Sequence, residues 1–264
     1  REIGIYETYG VGLGNGFRVF AWPTENEHFN YSRYLLDEVH EPVGLNTLRA
    51  MTQYVLNQHV NGKGPRPETF VAFLRELETA RANGQRLILM GHYPVFHRGV
   101  GPDQTPDTND SLRGDTALAV RLASWYYRNS ADETVLAASI GAHVHQYEET
   151  DFILHFQNDA EERHFRAELG RIFRARNPST IFEQIHDFRH RWDVDSRSEV
   201  RRVHEPGSDG YPGPILRSCN ENSCSYYRTQ GTTFLNLPSL GIPSDDQAGY
   251  VIITTHPDGE IDVA

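Results

Sequence analysis

Two helix-then-strand units, arriving in succession and ending alike, constrain this chain more than any other feature. From Pro67 to Ala82, Phe70, Phe73, Leu74 and Leu77 fall on one helical stripe, with Pro67 in the first turn and Gly84 as the stop. Arg86 to Met90 follows as a buried strand that ends at Gly91-His92. A polar loop from Gly99 to Gly114 leads to Asp115, placed to cap a second helix carrying Leu118, Leu122 and Trp125. Thr134 to Ile140 is the next apolar strand, and it ends at Gly141-Ala142-His143. A helix feeding a strand twice over calls for parallel crossovers, so the fold class is α/β.

The flanking sequence fits around this centre. Phe17 to Ala21 is a strand entered through the Gly14-Asn15-Gly16 turn, and residues 44 to 59 form a helix with Leu45, Leu48, Met51, Tyr54 and Val55 near one face. Residues 151 to 231 break the rhythm, with a charged helix around Ala160 to Arg176 and then a Pro- and Gly-rich loop. The stripe of His164, Phe165, Leu169, Ile172 and Phe173 reads as a packing face. Thr232 to Leu237 and Tyr250 to Thr254 are closing strands, and Pro257-Asp258-Gly259 turns into Ile261 to Val263 for an antiparallel finish. The organisation is therefore an incomplete core over 1–150, an insertion or cap over 151–230, and closing strands over 231–264.

Charge and composition remove some function classes. With 25 Lys and Arg against 36 Asp and Glu, the formal net charge is -11, which opposes binding to a nucleic-acid backbone. No apolar run approaches the length needed to span a bilayer. The only two cysteines, Cys219 and Cys224, lie close together in a loop and suit either a short disulfide in an oxidising compartment or a pair of free thiols. Asn30-Tyr31-Ser32 and Asn109-Asp110-Ser111 match the glycosylation sequon, so Asn30 and Asn109 are candidate acceptors and the expected location is secreted or extracytoplasmic. A chain that opens at Arg1 suggests that sequence upstream has been removed.

In open α/β sheets ligands collect beyond the carboxyl ends of parallel strands, where loops converge on rigid supports. His92, His143 and His145 occupy such places. Neutral imidazole is a ligand for zinc, iron or manganese, and carboxylates usually complete a site that must activate water. Three histidines alone could hold a single zinc, the alternative of a mononuclear hydrolase.

The order of helix, apolar strand, Gly91-His92-Tyr93-Pro94, polar loop, helix, apolar strand and Ala142-His143-Val144-His145 resembles the carboxyl-terminal half of calcineurin-like metallophosphoesterases, including their purple acid phosphatase and acid sphingomyelinase branches. The likeness extends through Gln146-Tyr147-Glu148 and to the segment from Gly231 to Gly241, and it does not cover the insertion. It implies part of an αββα sandwich with a helical and loop insertion, and hydrolysis of phosphate mono- or diesters. It also implies that His92 and His143 hold one metal and His145 the other, with Zn, Fe or Mn as cofactor, dinuclear only if further residues complete the site. Ala142 stands where the family has Gly. The family's upstream Asp-x-His, Gly-Asp-x-x-Asp and Gly-Asn-His-Glu or Gly-Asn-His-Asp motifs do not occur before residue 91, so the bridging carboxylate, the Asn ligand and the catalytic acid are not assigned.

Other candidates surround the histidines. His97 and Arg98 follow the first motif and could touch a substrate phosphate or its leaving group, or simply be solvated. Tyr147 and Glu148 could orient the ligands from behind. His186 and His190, four apart with Asp187 and Asp193 nearby, could chelate a metal or belong to an exposed polar helix face. A phosphoesterase of this kind takes a phosphate ester as substrate; the alternative is an inactive structural or binding protein on the same scaffold. Half of a sandwich would expose apolar sheet, so self-association or an amino-terminal half is the expected partner.

Overall fold

The computed structural model describes residues 9–22, 64–95, 112, 114–141, 148–202, 218–220, 223–225, 231–236, 253–256 and 261–263. The helix expected over 44–59, and Asn30, His97, Arg98, Asn109, His143, His145 and Tyr147, lie outside these residues.

Gly14, Asn15 and Gly16 take φ of 82°, 47° and 77°, the left-handed backbone that lets β1 (Tyr9–Gly14) fold back tightly on β2 (Phe17–Ala21). Helix α1 (Pro67–Ala82) has Pro at its start and buries Phe70, Val71, Phe73, Leu74, Leu77 and Ala80. Its chain turns at Asn83 and Gly84 into β3 (Arg86–Met90), where all but Met90 are buried. Helix α2 (Gly114–Tyr126) then feeds β4 (Leu136–Gly141). Strands β2, β3 and β4 are parallel neighbours, so the α/β class and both crossovers read from the sequence hold.

The expected N-cap is the first difference. Helix α2 begins at Gly114, and Asp115 sits in its first turn with its carboxylate drawn away to a later helix.

Next come β5 (Glu148–Leu154), α3 (Asp159–Ala175), α4 (Ile181–Arg191), the short α5 (Val194–Arg197) and β6 (Ser198–Arg202). Strands β7 (Ser218–Asn220) and β8 (Ser223–Ser225) form a separate hairpin, and β9 (Thr233–Asn236) returns to the main sheet. Strands β10 (Ile253–Thr255) and β11 (Ile261–Val263) pair antiparallel. The main sheet has seven strands in the order β1-β2-β3-β4-β9-β5-β6, parallel at its centre and antiparallel toward both edges.

The late strand β9 is thus central, not peripheral, because it slots between β4 and β5. The division placed at 150/151 falls inside β5, and strands β5 and β6 share the sheet with the preceding strands. Helices α3 and α4 share its core as well: Phe165, Leu169, Phe173, Ile185 and Phe188 join Phe70, Phe73, Leu118 and Leu122 in one cluster. The stripe read as a packing face is one, except that His164 remains outside, edge-on to Trp192.

The sheet carries apolar residues on both faces, as buried parallel strands do. Phe20, Trp22, Leu87, Leu89 and Phe234 face the helices, while Phe17, Ile88, Ala138, Ile140 and Leu235 form a second cluster against which Val19, Ile253 and Ile261 pack. The β10–β11 pair therefore supplies side chains to the layer opposite the helices. At the edge, Val11 and Leu13 of β1 are exposed. Among the described residues, no helix is long and apolar enough to cross a membrane.

Candidate functional site at the strand ends

The carboxyl ends of β2, β3, β4 and β9 lie side by side. Trp22 N donates to Met90 O at 3.0 Å, and Gly91 N donates to Ile140 O at 3.0 Å, so the backbone ladder runs past the end of β3. Gly141 is in parallel register with Asn236. The segment bearing the first histidine motif and the strand bearing the second are thereby in direct backbone contact.

They meet most closely at Gly141. A Cβ built there would stand 2.4 Å from Pro94 Cα and 2.6 Å from Pro94 N. The φ of Gly141 is not positive, and glycine is required there because the Gly91-His92-Tyr93-Pro94 segment crosses directly over β4.

Alternate anchoring presents His92. Tyr93 and Val95 are each 5% exposed, Pro94 is buried, and Leu112 N donates to Pro94 O at 2.9 Å, so the segment is pinned beyond the histidine. His92 itself is exposed, its ring at 82° to that of Tyr93 with centroids 5.0 Å apart. The buried phenol thus limits the directions in which the imidazole can turn.

The second motif leaves β4 after Gly141, and the chain re-enters the sheet at Glu148. Strand β9 lies between these points: Asn236 is opposite Gly141 on one side and opposite Glu148 on the other. Gly141 and Glu148, which flank the stretch containing His143, His145 and Tyr147 in sequence, are thus both paired with Asn236. Glu148 is placed by its backbone as the first residue of β5, and its side chain lies outside what is described.

Asn236 is a residue that the sequence reading passed over. It is 3% exposed at the carboxyl end of β9, a buried amide where the strand meets the two motif ends. The available signal was a polar residue closing the buried run Thr233-Phe234-Leu235. Buried amides of this kind must be hydrogen-bonded, which fixes whatever they touch.

Away from this edge, the Cys219 and Cys224 backbones are directly opposite across β7 and β8. His186 and His190 on α4 are both exposed with rings 4.5 Å apart, and His186 Nδ1 lies 3.0 Å from Asp115 Oδ2. Among the described residues no group of three or more His, Cys, Asp or Glu is arranged to hold a metal ion. Compared with known proteins, the chain matches no family model and no curated protein.

Proposed function

We propose that this chain is part of a metal-dependent phosphoric ester hydrolase related to the calcineurin-like metallophosphoesterases. The observation that carries this reading is the close packing of Pro94 on Gly141, which brings together the strand ends that precede His92 and His143. Apolar clusters on both faces of the sheet, one under helices and one under β10 and β11, suit the corresponding part of an αββα sandwich.

The donor chemistry fits a metal ion. His92 leaves its strand as an exposed imidazole, and His143 and His145 follow the adjacent strand within residues 142–147. Three imidazoles bring no negative charge, so this set suits one ion and needs carboxylates from elsewhere to hold a close pair. A zinc, iron or manganese ion held there would neutralise phosphoryl charge and make water more acidic. The chain's own residues would position that ion: His92, His143 and His145 as ligands, with Tyr147 and Glu148 setting the orientation of the second motif. His97 and Arg98, beyond Val95, are proposed to meet the ester's phosphate or leaving group.

The experiment is hydrolysis of aryl phosphate mono- and diesters by purified protein supplied with Zn2+, Fe2+ or Mn2+, compared with His92→Ala and His143→Ala. Metal-dependent turnover lost in both variants supports the reading. Turnover that survives in them contradicts it.

A second reading, an inactive scaffold with a binding role, is favoured by the absence of the family's upstream ligand motifs from residues 1–90. It predicts at most one weakly bound metal per chain and no turnover of the aryl phosphates. The phosphoesterase reading also carries a proposed extracytoplasmic location with a Cys219–Cys224 disulfide, read by mass after alkylation without reductant. Its proposed association with a second copy or a covering partner is read by sedimentation at rising concentration.

A further inference from the structure

His186 and His190 play no part in the strand-end reading, yet their surroundings are organised. They stand one turn apart on α4 with ring planes at 74° and centroids 4.5 Å apart. Side chains four apart on a helix share a face, so the two imidazoles can converge on one point outside it. Asp115 approaches from α2, its Oδ2 3.0 Å from His186 Nδ1.

That contact sets the tautomer. A carboxylate can only accept, so Nδ1 of His186 carries the proton and Nε2 of the neutral ring keeps its lone pair. Asp115 is braced in turn: Arg189 Nη1 donates to its Oδ1 at 3.4 Å, and Arg189 Nε donates to Asp195 Oδ2 on α5 at 2.8 Å. A carboxylate behind one imidazole, with a second imidazole beside it, is the arrangement that orients histidine ligands in metal sites.

We propose that His186 and His190 bind a late first-row divalent cation, with Cu2+ held most tightly, at the junction of α2, α4 and α5. Imidazole suits Cu, Zn and Ni, and affinity at a nitrogen site peaks at Cu2+. With two protein ligands the remaining positions belong to water or a small anion, so the ion exchanges readily. Asp115 is the positioning residue: it fixes the ring of His186 without touching the ion. Because Asp115 belongs to α2 while both ligands belong to α4, ion binding strengthens the contact between those helices.

This site is separate from the strand-end histidines and stands whether or not the phosphoesterase reading does. The test is a Cu2+ titration at neutral pH, followed by the imidazole-nitrogen coupling in the electron paramagnetic resonance spectrum and run on protein carrying His92→Ala, His143→Ala and His145→Ala. The coupled signal is expected to persist in that background and to be lost when His186→Ala and His190→Ala are added. Asp115→Asn is expected to weaken Cu2+ binding roughly tenfold to a hundredfold while the coupling pattern stays. His164→Ala, an exposed histidine on α3, is expected to change nothing. His92, His164, His186 and His190 are exposed, and circular dichroism of each variant confirms folding. An undiminished signal in the His186→Ala, His190→Ala protein overturns the site, and unchanged affinity in Asp115→Asn overturns the role given to Asp115.

Discussion

Pro94 lies on Gly141 so closely that a single methyl group at Gly141 would stand 2.4 Å from the Pro94 Cα. The obstacle is backbone, which cannot swing aside as a flexible side chain would. Gly141→Ala is therefore expected to destabilise the fold by about 1–3 kcal/mol, the range for overpacking a filled interior. Urea unfolding checks this through a lower midpoint at unchanged slope. A wild-type midpoint would mean that the two strand ends are not in contact as described.

Neighbouring residues in the first motif should separate stability from chemistry. Tyr93 is 5% exposed and His92 is exposed, so their truncations act on different quantities. Tyr93→Ala should cost about 3–5 kcal/mol, like other large aromatic truncations. His92→Ala should stay within about 0.5 kcal/mol of wild type while weakening metal binding at the strand ends. Calorimetry beside a metal titration distinguishes the two, and a strongly destabilised His92→Ala protein would count against a ligand role.

Acid should loosen the start of α3. Asn158 caps that helix by accepting from Ala160 N and Glu161 N at 3.0 Å each, and Glu161 accepts from Gln157 N, the residue before the cap, at 2.6 Å. Its other oxygen accepts from Arg197 Nη1 at 3.0 Å. The backbone hydrogen bond first, and then Arg197, hold the Glu161 carboxyl below its usual 4.5. A depressed carboxyl stabilises the folded state above the usual value, and that contribution is lost as pH falls through the folded one. The thermal midpoint of Glu161→Gln should thus lie below wild type near neutrality and approach it below pH 4.5. A constant difference across that range would remove Glu161 from the acid response.

The crossover part of the fold was legible because its signals are local. The apolar stripe of α1, its starting Pro67 and the runs Phe17–Ala21 and Arg86–Met90 are each fixed by neighbours within a few residues, and each element has the bounds its sequence suggested. Strand β9 was legible as a strand but not in its place. Its insertion between β4 and β5 depends on pairing partners far away in sequence, and periodicity carries no record of them. Asp115 shows the same limit at one residue, since a good capping side chain was drawn instead to His186 and Arg189 on α4.

The candidate site divides along the same line. Strand ends bearing histidines are visible in sequence because a buried apolar run stops abruptly at Gly91-His92 and at Gly141. The reason for Gly141 was not visible, because it lies in Pro94, which is remote in the chain and adjacent only after folding. Asn236 was hidden likewise. One polar residue at the end of a strand is ordinary until Gly141 and Glu148 are found on either side of it.

The central claim is that the strand-end histidines form a metal centre. Equilibrium dialysis against Zn2+, followed by elemental analysis, tests it most directly when run on protein with His186→Ala and His190→Ala and on the same protein with His92→Ala, His143→Ala and His145→Ala added. The account predicts that the added substitutions remove about one tightly held ion per chain, the capacity of a three-histidine site. Equal zinc in the two folded proteins would contradict it.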